Sequence, residues 1–330
     1  MKLGLLAFTD NGRKLASRLR AQPFDWVEKP ENMTASAFVE EQLGSCDGFV
    51  FIGAVGIAVR VMAPHVRRKD VDPAVVVLDE LGRYAIPVLS GHLGGANALA
   101  GELAASVGAQ PVITTATDLN HVFAVDVWSQ KAGCTVGEVE RIKAVSAALL
   151  RGERVGLASD FPVEGVLPAG LELLQGEGGP DVGIAVTLRE DMEPFAATLH
   201  LYPCAVTLGV GCRRNTDPDA FEEFLLRVLR GQGVSVKALK AVASIELKKE
   251  EACICRFCEK YGLPFLTYTA QELKSASGAF ASSAFVEKTT GVDNVCERSA
   301  VLGGGKLIMG KTTAAGMTAA LAIDNWRCVF

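Results

Sequence analysis

Three observations predict an α/β architecture. Near-continuous apolar runs such as Asp47–Gly53 (DGFVFIG) and Ala74–Asp79 (AVVVLD) have the character of strands buried on both faces. These runs alternate with segments of helical periodicity. The alternation lapses between Cys134 and Pro203 and resumes from Cys204. The prediction is therefore two β/α layer domains with mostly parallel sheets, residues 1–133 and 204–330, joined by a small α+β middle domain over 134–203.

The elements follow in order. Lys2–Phe8 is an apolar strand, and Thr9 or Asp10 can cap a helix running to about Ala21. Ala35–Leu43 reads as a second helix and Asp47–Gly53 as a strand. Gly56–Met62 is helical and Pro64 ends it. Ala74–Asp79 is a buried strand that Arg83–Leu89 can pair with across the Gly82 turn. His92–Val107 is Ala- and Leu-rich and helical, with Gly108 as its stop, and Pro111–Thr115 is a further strand. The middle stretch carries one clear helix, Val139–Leu150, and short strands at Val155–Ala158 and Val182–Leu188. Between those strands lies a turn-rich segment that includes Gly165, Pro168, Gly176 and Pro180. Beyond it come strand Ala205–Val210, helix Pro218–Arg230, strand Val242–Glu246, helix Lys249–Tyr261 and strand Pro264–Tyr268. Helices over Ala270–Ser275 and Asn294–Leu302 precede late strands at Lys306–Met309 and Met317–Ile323.

Composition narrows the function. The 330 residues are 49% hydrophobic and 22% charged, enough apolar material for packed cores and inconsistent with disorder. A net charge of −5 with no basic stripe argues against a nucleic-acid partner. No apolar run approaches the ~18 residues of a membrane span. The apolar stretch after Lys2 is too short for a signal peptide, so a cytoplasmic protein is expected. Nine scattered cysteines then read as reduced thiols. Cys253, Cys255 and Cys258 form C-x-C-x2-C within a helical run, without a fourth ligand at matching spacing, so no metal is expected.

Several motifs compete for the chemistry. Gly305–Thr312 (GKLIMGKT) satisfies the Walker A pattern, but its middle residues are a strand signal instead of a flexible phosphate loop. We read it as a chance match. Two strand–Gly–helix junctions, Phe51–Gly56 (FIGAVG) and Leu208–Arg214 (LGVGCRR), do not complete a dinucleotide fingerprint. Each is a tight turn or an anion cradle, and the adjacent Arg213 and Arg214 favour a carboxylate-binding role for the second. Ser90–Asn97 (SGHLGGAN) is the most informative segment. Three glycines beside Ser90, His92 and Asn97 leave bare backbone with converging polar groups. His92 is a candidate general base or acid, against a surface residue behind a Ser90 helix cap. Thr114–Asp118 closes the next strand where open α/β sheets place ligands, although Asp118 could equally be a helix N-cap. Glu80 ends the AVVVLD strand as a turn residue or a second carboxylate. His121 and His200 lie in no motif.

Phe51–Arg60 (FIGAVGIAVR), Asp72–Val77 (DPAVVV), Ser90–Asn97 and Pro111–Asp118 (PVITTATD) together resemble the CbiG family, the cobalt-precorrin-5A hydrolases of anaerobic cobalamin (vitamin B12) biosynthesis. Leu208–Arg214, Phe285–Val286 and Gly291–Arg298 (GVDNVCER) resemble its C-terminal part. Asn215 departs from the Gly expected after the Arg pair. The resemblance implies a hydrolase of corrinoid metabolism that needs no cofactor of its own, the cobalt being carried by the tetrapyrrole substrate. It implies opening of the δ-lactone between the ring A acetate and carbon 20. Carbon 20 then leaves with its methyl as acetaldehyde, giving cobalt-precorrin-5B. On that reading His92 transfers protons, with Ser90, Glu80 and Asp118 as the other catalytic candidates. Glu80 or Asp118 would orient His92 or carry the second proton. The N–H groups of Gly94 and Gly95 would stabilise the oxyanion, with Gly53, Gly56, Asn97 and Thr115 contributing to the substrate site. Arg60, Arg83, Arg213 and Arg214 would clamp the substrate carboxylates. The partner is a small molecule, not nucleic acid or membrane, with a homodimer or association with other pathway enzymes left open. A non-catalytic corrinoid carrier of the same pathway is the alternative.

Overall fold

The computed structural model describes all residues except 69, 70, 93, 176 and 177, and for Phe285 only the backbone. Leu93 of the Ser90–Asn97 segment and Gly176 of the turn-rich stretch lie outside the described residues. The chain divides into two compact units, Met1–Val127 and Trp128–Phe330.

The first unit contains β1 (Lys2–Ala7), α1 (Asp10–Leu19), β2 (Asp25–Glu28), α2 (Ala35–Gln42), β3 (Gly48–Ile52), α3 (Val55–Met62), β4 (Ala74–Leu78), β5 (Tyr84–Leu89), α4 (Ala96–Val107), β6 (Gln110–Pro111) and α5 (Ala116–Leu119). Helix α6 (Val125–Lys131) runs across the division. The sheet order is β2-β1-β3-β4-β5-β6, parallel except where β5 runs antiparallel to β4. Strand alternation splits the core. Leu3, Leu5, Val50, Ile52, Val76 and Leu78 face α1 and α4, while Leu6, Phe49, Phe51, Val75 and Val77 face α2 and α3. This two-sided burial is what the continuous apolar runs announced. Thr9 is the N-cap of α1, its hydroxyl accepting the Gly12 N–H at 3.0 Å.

The second unit begins with β7 (Cys134–Val136), α7 (Ile142–Leu150), β8 (Val155–Ser159), β9 (Val163–Glu164), β10 (Leu171–Leu173), β11 (Val182–Val186) and β12 (Ala197–Pro203). Their five-stranded sheet, β10-β8-β11-β12-β7, is parallel apart from β7. The ring of Phe195 lies across Gly156 and Gly183 on adjacent strands, where an added Cβ would come within 2.1 and 2.2 Å of it. His200 is buried, with Nδ1 3.1 Å from Glu138 Oε1 and Nε2 2.9 Å from the Met192 carbonyl, an ordinary satisfied core histidine.

The chain continues through β13 (Val206–Gly211), α8 (Pro218–Gly231), β14 (Leu239–Ile245), α9 (Ala252–Tyr261), β15 (Phe265–Tyr268), α10 (Ala270–Ser275), α11 (Ala284–Thr290), α12 (Cys296–Gly303), β16 (Lys306–Ala314), β17 (Met317–Ile323) and β18 (Cys328–Val329). The sheet order is β15-β14-β13-β17-β16, the last two strands antiparallel to their neighbours. Helices α8 and α9 cover one face, and α12 packs on the other. Gly209 of β13 permits that close approach, since a Cβ there would lie 1.9 Å from the Cys296 carbonyl. The Walker-like residues Lys306–Thr312 lie within β16, paired to β17, and open no helix.

Some boundaries moved. The strand expected over Pro111–Thr115 is only Gln110–Pro111, and the helix expected from His92 begins at Ala96. Asp118 is not an N-cap: Thr115 holds that position and Asp118 lies inside the short helix α5. No described helix is long and apolar enough to cross a membrane.

Candidate active site

The loop between β5 and α4 is held by its own backbone. Ser90 takes a left-handed conformation at φ 56°, and its hydroxyl donates to the Asp72 carbonyl at 2.9 Å. Asp72 in turn accepts the Arg67 N–H on both carboxylate oxygens, at 2.9 and 3.1 Å. A Cβ on Gly94 would lie 2.3 Å from the Ser90 Cβ, so only glycine lets the loop close there. The Ala96 and Asn97 N–H groups donate back to the Ser90 and Gly91 carbonyls at 3.1 and 2.9 Å. This compact turn presents His92 ahead of α4.

His92 is clasped by two carboxylates. Its Nε2 lies 3.0 Å from Asp118 Oδ2 and its Nδ1 lies 3.2 Å from Asp126 Oδ2. The Thr117 hydroxyl is 3.4 Å from Nε2. Asn97, on the first turn of α4, donates through Nδ2 to Asp118 Oδ2 at 2.8 Å and to the Thr115 hydroxyl at 2.9 Å. Both donors reach Asp118 through Oδ2, and among the described residues Oδ1 makes no bond. Exposure is graded along the row: the Asp126 side chain is 8% exposed, that of His92 14% and that of Asp118 39%. The array thus runs from a buried carboxylate through an imidazole to a solvent-reachable carboxylate.

The charges follow from this geometry. The hydrogen bond to Asp126 raises the His92 pKa most; burial opposes it, the Asp118 bond adds to it, and the result is about 9. Burial alone would push Asp126 up, but the bond and charge of His92 outweigh it and hold the carboxyl below its usual value. At neutral pH the site therefore holds an imidazolium with both N–H groups donated to carboxylates. Such an imidazole has no free lone pair on either ring nitrogen.

The other expected residues divide. His92, Asp118, Asn97 and Thr115 come together. Ser90 shapes the loop, with its hydroxyl turned to the Asp72 carbonyl. The Gly95 N–H donates to the His92 carbonyl at 2.9 Å, so it is not open to an oxyanion as expected; Gly95 instead supplies a left-handed residue at φ 81° before α4. Gly94 is the close-packing position described above. Glu80 is not part of this array: it accepts the Thr9 hydroxyl at 2.7 Å. Gly53 donates its N–H to the Leu78 carbonyl at 2.8 Å, fixing the end of β3. The Gly56 carbonyl accepts from Arg60 Nη1 at 3.3 Å on the exposed face of α3. Arg83 is exposed at the β4–β5 turn, its N–H bonded to Asp79. Arg213 and Arg214 lie in the second unit, where with Lys248 and Lys311 they line a cavity of about 580 Å³ at the carboxyl ends of β13 and β14. Asn215 reaches φ 57°, a conformation Asn tolerates, so its loop turns as a glycine would.

Asp126 was missed. Its signal was present: it is the single charge in the apolar run Val122–Trp128. A buried charge in such a run needs a partner.

Known proteins decide the family. Residues 37–118 match Cobalamin synthesis G N-terminal, 123–203 the Cobalamin biosynthesis central region, and 206–322 the Cobalamin synthesis G C-terminus. The chain is 36% identical to a cobalt-precorrin-5A hydrolase of Salmonella typhimurium, with 98% of each chain covered. The chain belongs to the CbiG family. A cobalt-precorrin-5A hydrolase of Priestia megaterium is 34% identical over 84% of this chain and 79% of its own. A crystal structure of a cobalamin biosynthesis protein G homologue from Sulfolobus solfataricus aligns at 23% identity over 98% of this chain and 96% of its own, with a TM-score of 0.42.

Proposed function

We propose that this CbiG-family chain is a cobalt-precorrin-5A hydrolase in which Asp118 is the catalytic base. The observation that carries the activity is the 36% identity, over essentially the full length, to a protein of that name. The array around His92 supports the residue roles.

Opening the δ-lactone needs a water made nucleophilic at the acyl carbon. Asp118 would take its proton as the new C–O bond forms. The tetrahedral intermediate then collapses, breaking the bond from the acyl carbon to the lactone oxygen, and the protonated Asp118 returns its proton to that oxygen. The products of this step are the ring A acetate and a hydroxyl on carbon 20. Removing that hydroxyl proton drives the second stage: carbon 20 forms a carbonyl, its bond to the macrocycle breaks, and the electron pair passes into the conjugated ring. Acetaldehyde leaves. Both stages ask for one carboxylate base.

His92 acts through Asp118 in this reading. Its imidazolium holds the base in place, and Asn97 adds a second hydrogen bond to the same oxygen. When Asp118 takes a proton, the negative charge of Asp126 keeps His92 cationic. Asp126 and His92 are thus positioning residues. Arg213 and Arg214 would bind substrate carboxylates in their cavity, since guanidinium groups match carboxylates in a two-point fork. The test is to mix the pure protein with cobalt-precorrin-5A and assay acetaldehyde. Release is expected; tight binding without release would instead mark a carrier.

A further inference from the structure

We propose that Cys212, Cys253 and Glu251 form a binding site for a thiophilic divalent cation, zinc or cobalt(II), through two sulfurs and one carboxylate oxygen. Their three ligand atoms lie within 4.8 Å of one another. Cys212 directly follows β13, Glu251 stands at the N-cap of α9, and Cys253 is the second residue of that helix. The Cys212 and Cys253 sulfurs are 3.6 Å apart. A disulfide needs about 2.05 Å. Two thiolates at ~2.3 Å from one tetrahedral metal sit about 3.8 Å apart. The observed spacing is close to the second arrangement.

The surroundings suit a cation. Glu251 Oε1 accepts the Asn215 N–H at 2.9 Å, and Oε2 accepts Lys248 Nζ at 2.6 Å. These bonds fix the carboxylate while each oxygen keeps a second lone pair for a metal, the usual role of an outer ligand shell. Two thiolates and a carboxylate carry three negative charges, which a divalent cation and Lys248 balance. Cys253 is buried, whereas Cys212 also lines the cavity of about 580 Å³, giving an entry path and a fourth position for water. Two thiolates favour zinc or cobalt over magnesium or calcium. Sequence spacing hid this set, because Cys212 follows β13, 41 positions before Cys253. The nearby cysteines serve otherwise: the Cys255 thiol donates to the Lys249 carbonyl at 3.4 Å, and Cys258 is buried in the core under α8 and α9.

The test is a Co²⁺ titration of the full chain after reduction and chelation, with no corrinoid present. One equivalent should give thiolate-to-cobalt charge-transfer absorption, and Zn²⁺ should abolish it. Cys212→Ser and Cys253→Ser should each lose that band, and Glu251→Gln should bind at least tenfold more weakly. Cys255→Ser should match the parent, and circular dichroism checks folding. Cys253 is a core residue, so if its variant misfolds the half-buried Cys212 decides the matter. The proposal is overturned if no band appears in the reduced protein, or if the band survives in Cys212→Ser.

Discussion

His92 lies between a buried and a half-open carboxylate, and both hold it in its charged form. The pKa of about 9 lies above the ordinary value of 6.5, so His92 stabilises the fold fully below about pH 6.5. That contribution, on the order of 3 kcal/mol, is lost as pH rises through about 9. Asp126 is shifted the other way: its contribution is present above the ordinary carboxyl value and disappears as pH falls through its lowered one. Proton NMR of the His92 ring should show titration near 9, and Asp126→Asn should bring it down towards about 6.5. A ring that titrates near 6.5 in the parent chain would remove the basis for the imidazolium. In the acetaldehyde assay, Asp118→Asn should lose on the order of 10²–10⁴ in rate, the usual cost of a missing base. His121→Ala, in the same assay, should lose little.

At the scale of elements, the β5–α4 loop carries the site because Ser90 and Gly94 close it. Gly94→Ala forces a methyl against Ser90 and should cost about 1–3 kcal/mol, read from urea unfolding. An unchanged midpoint would mean the loop gives way freely. Strand β16 leads to a different expectation. Its Walker-like residues are paired to β17, so neither ATP nor GTP, with or without magnesium, should raise the melting temperature. A real site at 100 times its Kd would add about 2.7 kcal/mol.

These elements also show what could be read in advance. The strands buried on both faces were legible because their apolar runs are continuous, and the strand character of Lys306–Met309 exposed the false phosphate loop. His92, Asn97, Thr115 and Asp118 were legible as polar groups in two neighbouring motifs, although the structure sets Thr115 and Asp118 at and in a short helix and not at the end of a strand. Asp126 was not, because it reaches His92 from a helix 34 positions on, and nothing in local spacing records that approach. The Gly95 assignment failed for a related reason: a glycine-rich helix start offers N–H groups, but sequence does not say that the loop's own carbonyls consume them. Glu80 lies in the β4–β5 turn, apart from the His92 row, and its partner Thr9 comes from the end of another strand, an approach that spacing does not record either.

At the scale of the whole molecule, two compact units carry different chemistry. The first holds the carboxylate–imidazolium row, and the second holds the cationic cavity of Arg213 and Arg214. If that cavity binds substrate acids, Arg213→Ala should raise KM for cobalt-precorrin-5A while leaving kcat nearly unchanged, because such a contact holds ground and transition states alike. A variant with normal KM would place carboxylate recognition elsewhere. The central claim is that Asp118 does the base work beside a His92 that is charged at neutral pH. The pH dependence of kcat/KM for acetaldehyde release tests it most directly. The account predicts activity that stays high from neutrality into mildly alkaline solution and falls as His92 deprotonates near pH 9. Activity that drops on acidification through about 6.5 and persists undiminished above 9 would show His92 acting as a free base, and would contradict it.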